Sequence, residues 1–220
     1  KELADFCGDN PAMKIRRRRA ENHRLRFLDN DEIESLLASC SDRIRPLLVC
    51  ALLTGMRRGE ILNLCWENVD IERRIIFILQ SKSGKPRELP LARKLRDVLL
   101  SLSPKESGSV FGVPEITLRC HFKNALMIAD IPDFRFHDLR HTFASHFIMR
   151  TGDLPALQKL LGHSSPEMTQ RYAHLAKAHL ASEIDVLDAA MPFQAVKAGE
   201  DGHYMDTKAI CVGRQNKEKC

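Results

Sequence analysis

Four short segments of the chain carry side chains suited to handling a phosphate diester. They are Thr54-Gly55-Met56-Arg57-Arg58-Gly59-Glu60, Ser81-Lys82-Ser83-Gly84-Lys85, His137-Asp138-Leu139-Arg140-His141, and Leu161-Gly162-His163 followed by Arg171-Tyr172. Singly, each has an ordinary reading. An arginine after a glycine is common, a hairpin lysine is usually solvated, a histidine and arginine one turn apart often form a surface pair, and a tyrosine near a helix start is more often a packing residue. Together they form a coherent phosphoryl-transfer set. A tyrosine can attack a phosphodiester and form a covalent intermediate. Its hydroxyl, with a pKa of about 10, needs a proton acceptor. Charge building on the nonbridging oxygens suits arginine forks, and the leaving oxygen needs a general acid. Arg57, Lys82, His137, Arg140, His163 and Tyr172 supply these roles without a metal. His137 and His141 are four apart, a spacing that on a helix could hold a metal. No third ligand at fitting spacing accompanies them, so neither a metal site nor a cofactor is expected. His121, His146, His174, His179 and His203 read as ordinary surface or core histidines.

These residues need elements to hold them. Asp29 and Glu32 have capping-box spacing, with Leu28 and Ile33 as the hydrophobic staple. Ile33, Leu36, Leu37 and Cys40 then repeat at i, i+3, i+4 and i+7, an amphipathic helix. Residues 47–53 are apolar all round, which predicts a buried helix ending at Gly55 as C-cap. Arg57 lies just beyond it, on a rigid base. A short helix over 59–64 follows. Residues 69–79 are β-branched and aromatic, with a turn near Glu72-Arg73, and 87–91 return as another strand. Lys82 sits in the hairpin between them. From Ala92 onward helices are predicted near 92–102, 114–129, 137–150, 154–161 and 166–187. Pro114 and Pro166 fit the first helical position and Ser165 the N-cap. His137 and Arg140 fall one turn apart beside an apolar stripe of Leu139, Phe143 and Phe147. The fold class is α+β, mainly α: a helical domain with a small antiparallel sheet of two or three strands.

Composition narrows the class of partner. Hydrophobic residues at 44% and charged residues at 29% describe a globular protein. No apolar run approaches the roughly 18 residues needed to span a bilayer. Net charge is +5, and almost all of it arises in one arm: Lys14, Arg16, Arg17, Arg18, Arg19, Arg24 and Arg26 against Glu21. Such an arm suits a polyanion, because each neutralised phosphate releases counterions; a solvated linker is the bland reading. The seven cysteines are odd in number and irregularly spaced, which reads as reduced intracellular thiols. Residues 1–26 read as the end of a preceding element and a basic linker, 27–187 as the domain that holds the four segments, and 188–220 as a tail that is flexible or ordered by a partner.

The four segments, in this order, resemble the phage-integrase family of tyrosine recombinases over about residues 28–175. The combination of H-x-x-R, L-G-H and a following tyrosine at this spacing is highly specific. The resemblance implies that Arg57 and Arg140 are the two catalytic arginines, Lys82 the hairpin lysine, His137 the histidine of H-x-x-R, His163 the third basic residue and Tyr172 the nucleophile. Glu60 matches the acidic residue that orients the first arginine. Lys85 stands beside Lys82, and the register favours Lys82. By the same resemblance Tyr172 forms a 3′-phosphotyrosyl link on double-stranded DNA and frees a 5′-hydroxyl. Lys82 protonates the leaving oxygen, and His137 acts as acid or base, including toward Tyr172. The implied protein is a site-specific recombinase or integrase of the cytoplasm, assembling as a tetramer on DNA when full length. Two readings stay open beside it: a type IB topoisomerase that relaxes DNA by similar chemistry, and a DNA-binding relative without catalysis.

Overall fold

In the computed structural model the described residues are 25–79, 86–176, Ile184 and Val186. Contacts group the chain into two compact units, 1–182 and 183–220. The second is described only at Ile184 and Val186, both helical.

The first unit opens with α1 (Asn30–Ser39). The capping box is present: Asp29 accepts from the Glu32 N–H, and the Glu32 side chain accepts from the Asp29 N–H. The apolar run forms α2 (Arg45–Thr54), whose C-cap Gly55 is left-handed at φ 63°. A side chain at Gly55 would collide with Phe143 and Leu161, so glycine is required there on two counts. The short α3 (Arg58–Leu62) follows, then β1 (Val69–Asp70), β2 (Ile75–Ile78) and β3 (Arg87–Pro90). These strands form one antiparallel sheet in the order β1-β2-β3, with Ile76 opposite Leu89 and Ile78 opposite Arg87. Ile76, Ile78 and Leu89 are buried, so alternation places one face of the sheet on the core.

Helices α4 (Arg93–Ser101), α5 (Glu115–Ile128), α6 (Asp138–Thr151) and α7 (Leu154–Leu161) complete the expected set. Pro114 and Pro166 each stand one residue before their helix, at the N-cap, rather than at its first position. Helix α6 packs against α2 and α7. The main core runs through α1, α2, the sheet, α4 and α5. A second apolar cluster, on α6 and α7, holds Ala144, Ile148, Leu157, Leu161, Tyr172 and Ala176.

The expected helix over 166–187 is corrected within the described residues. It is broken into a one-turn α8 (Glu167–Gln170) and a 3-10 turn at Ala173–Ala176, with Tyr172 between them. The Tyr172 N–H bonds to the Thr169 carbonyl and the Leu175 N–H to the Tyr172 carbonyl. Both are i to i−3 bonds, the tighter winding. It keeps the buried spacing of Thr169, Tyr172 and Ala176 on one side.

Candidate active site

The site is built around the C-terminal cap of α7. Gly162 ends that helix at φ 62°, and the carbonyls of this end meet arginines of β3, α6 and the N-cap of α3. Arg140, on the first turn of α6, is 4% exposed and donates to the carbonyls of Leu161 at 2.6 Å and Gly55 at 2.7 Å. Arg57, the N-cap of α3, donates to the Gly162 carbonyl at 3.4 Å and to Glu60 Oε1 at 2.9 Å. Two guanidiniums from distant segments are thus fastened to one helix end. Charge is the more concentrated for it: burial, then the neighbouring Arg57 cation, brings Arg140 down to about 10. It stays protonated at neutral pH.

His163 follows the cap, half-buried, with Nδ1 2.8 Å from the Thr169 hydroxyl. Burial first, then Arg140, Arg57 and Arg171, lower its pKa to about 4. The imidazole is neutral at neutral pH, a hydrogen-bond partner for an anion rather than a fixed cation. Tyr172 is 2% exposed; its ring lies in the second apolar cluster and its hydroxyl lies 2.6 Å from His141 Nδ1. Burial raises the phenol to about 12, against the opposing pull of Arg171 and Arg140. The hydroxyl therefore keeps its proton in the free protein.

Glu60 does more than orient Arg57. Its carboxylate also takes Arg87 Nη1 at 3.0 Å and Nη2 at 2.7 Å, while Arg87 Nε donates to the Leu160 carbonyl at 3.1 Å. Burial pushes Glu60 up, yet hydrogen bonds from Arg87 and Arg57 hold it below the usual carboxylate range. A Cβ on Gly162 would stand 2.9 Å from Arg87 Cδ, so the glycine before His163 makes room for this arginine. Arg87 opens β3, the strand to which the Lys82 segment returns. Because the pair is almost wholly buried, with side-chain exposures of 9% and 6%, removing Arg87 leaves the Glu60 carboxylate balanced only by Arg57, whose side chain is 22% exposed. Arg87→Met is expected to cost on the order of 3 kcal/mol of stability in a denaturant titration. Adding Glu60→Gln to it should recover part of that loss, and strictly additive losses would show that the two side chains are not coupled.

The structure brings together Arg57, Glu60, Arg140, His163 and Tyr172. His137 is exposed at the N-cap of α6 and packs edge-to-face on His141, ring centroids 5.2 Å apart. It is His141, not His137, that meets the Tyr172 hydroxyl. Lys82 lies outside the described residues, as do Lys14, Arg16, Arg17, Arg18, Arg19 and Arg24. Arg26, expected on DNA, forms a two-pronged pair with Glu32 and lies over the Phe134 ring at 5.8 Å. It has a structural task in staking down the start of α1. His146, read as ordinary, bonds the Leu28 carbonyl at 2.7 Å. Sequence reasoning missed Arg87 and His141 as site residues. For His141 a signal existed, since it follows Arg140 directly and shares a helical face with His137; for Arg87 there was only its place at the start of a strand.

A family model described as the phage integrase family matches residues 26–179. The integrase of Haemophilus phage HP1 is 36% identical over 202 residues, covering 88% of this chain and 57% of that protein. The integrase of Salmonella phage P22 is 32% identical over 190 residues, covering 77% of this chain and 49% of that protein. The chain thus matches about half the length of these relatives. The solved catalytic domain of bacteriophage HP1 integrase superposes with a TM-score of 0.63 at 36% identity, covering 78% of this chain and all of that one.

Proposed function

The chain belongs to the phage integrase family, and from that premise we propose that it is the catalytic part of a site-specific DNA recombinase. Tyr172 attacks the scissile phosphate and becomes linked to the 3′ side of the break. The observation that carries the reading is the pair of guanidiniums, Arg57 and Arg140, fastened to the α7 cap beside His163, with Arg140 within electrostatic reach of Tyr172. Such a cradle is aimed at the doubly charged oxygens of a pentavalent phosphate. His163, neutral, adds a hydrogen bond to the same oxygens. Lys82, on the β2–β3 connection, is the proposed acid for the leaving 5′-oxygen, and His137 stands at the mouth of the site as an auxiliary donor. The freed 5′-hydroxyl of another strand reverses the step, so phosphodiester energy is conserved.

The partner is double-stranded DNA, with the basic arm of residues 14–26 along its backbone. Exchange between two duplexes needs four cuts, which supports a tetramer of the whole protein on DNA, in the cytoplasm where that DNA is. Among the described residues no helix is long and apolar enough to cross a membrane.

Because the charge stabilisation assigned here comes from cationic side chains, covalent attachment is expected to survive chelation. The measurement uses a pool of short nicked duplexes of randomised sequence, quenched with detergent and run on a denaturing gel with and without EDTA. Equal adduct in both lanes is expected. Adduct that vanishes with EDTA and returns with Mg²⁺ would sink this mechanism. DNA retention with no adduct in either lane would point to a DNA-binding relative without catalysis.

A further inference from the structure

Tyr172 cannot attack as a phenol without losing a proton, and its hydroxyl is 2.6 Å from one particular nitrogen. We propose that His141 is the general base of the cleavage step, taking the Tyr172 proton on Nδ1 as the oxygen bonds to phosphorus. This rests on the recombinase reading above and adds to it the group that activates the nucleophile.

Geometry singles out His141. It lies one residue past Arg140 on α6, 8% exposed, so its ring is fixed by the same helix that aims a guanidinium at the phosphate. The edge-to-face contact with His137 holds the ring plane. The tyrosine ring is equally fixed, by the apolar cluster around it. A general base must be within hydrogen-bond reach of the proton that it removes, and 2.6 Å meets that condition before substrate arrives. His163 has its Nδ1 on Thr169.

The charged and titratable groups that face His141 are His137 at the N-cap of its helix, Asp138 and Arg140 on that helix, His163 after α7, and Arg171 and Tyr172 after α8. Burial first, then His137, Arg171 and Arg140, lower it to about 4 against the opposing pull of Asp138. It is therefore neutral at neutral pH. With the proton on Nε2, its Nδ1 lone pair faces the Tyr172 hydroxyl, which donates to it. A bound phosphate diester brings a negative charge among these cations and raises the proton affinity of the imidazole at the moment when it is needed.

An oxygen electron pair of Tyr172 forms the bond to phosphorus, and the hydroxyl proton passes to His141 Nδ1. The bond from phosphorus to the 5′-oxygen breaks, its electron pair leaves on that oxygen, and the proposed acid Lys82 supplies the proton. In rejoining, the imidazolium returns its proton to the departing phenolate.

The test compares the wild-type chain with His141→Gln, His141→Ala and Tyr172→Phe on the nicked-duplex pool. Glutamine can accept the hydrogen bond but cannot hold the proton. Both His141 variants are expected to form adduct about 10² times more slowly at neutral pH. The deficit should narrow at alkaline pH, where solvent base replaces the imidazole, and added imidazole should partly restore His141→Ala. A merely structural role predicts a deficit equal at every pH and no rescue, and that result overturns the proposal. So does a rate within about threefold of wild type. A faster rate would make His141 a latch that holds Tyr172 back, which also overturns it. Should the variants not fold, histidine nitrogen NMR on the wild-type chain decides: an unprotonated Nδ1 is expected, and an Nδ1–H tautomer overturns the assignment. If the wild-type chain itself gives no adduct that Tyr172→Phe removes, the recombinase reading falls and this one with it. If adduct is normal and only the His141 variants match wild type, this proposal alone falls.

Discussion

Tyr172→Phe is expected to abolish detergent-stable attachment to DNA while leaving the fold and DNA affinity nearly intact. The substitution deletes one oxygen. The ring keeps its place against Ala144, Ile148, Leu157 and Leu161, so no cavity forms. The structural cost is one lost hydrogen bond at His141 Nδ1, about 1 kcal/mol. That is small against a loss of chemistry that has no substitute route, since removing the nucleophile removes the covalent intermediate itself. Denaturing gels measure the adduct, and filter binding with thermal melting measures the rest. Adduct that persists in the variant would reassign the nucleophile, and Tyr204, the other tyrosine of the two in the sequence, would be the next to replace.

Arg140→Ala and Arg57→Ala should each slow adduct formation by an amount worth about 2.7–4 kcal/mol, the cost of deleting one donor aimed at transition-state charge. Their effects on stability should differ. Arg140 is buried and joins the Gly55 and Leu161 carbonyls, so alanine strands two buried acceptors and opens a void. Arg57 is half-buried, and its loss still leaves Glu60 paired with Arg87. Melting is therefore expected to fall distinctly in Arg140→Ala and little in Arg57→Ala. Single-turnover rates within about tenfold of wild type for either variant would remove it from the cradle.

Much of this scaffold is legible in the residues because the signals are local. The Asp29 and Glu32 capping pair, the apolar run ending at Gly55 and the β-branched strands each specify their own geometry over a few residues, and each is present in the structure. The segment around Tyr172 misleads for a physical reason. Buried residues at 169, 172 and 176 satisfy an α-helix and a pair of tight turns equally well, so apolar spacing cannot choose between them; packing on α6 and α7 does. The long-range partners are illegible for another reason. Arg87 meets Glu60 across 27 residues and His141 meets Tyr172 across 31, and nothing in either neighbourhood announces the other. The H-x-x-R spacing points to His137, while the adjoining His141 carries only the i, i+4 spacing of a metal pair.

Arg57 and Arg140 are steadied by peptide carbonyls at Gly55, Leu161 and Gly162 rather than by side chains alone. A carbonyl is the same in every residue. Random mutation in the α2 and α7 termini can therefore exchange one apolar side chain for another without deleting an anchor, provided that the two left-handed glycine turns persist. Inheritance of the cradle is thus concentrated in few letters: two glycines, two arginines and the Glu60–Arg87 pair. The remaining surface is left open to change while the cradle stays where it is.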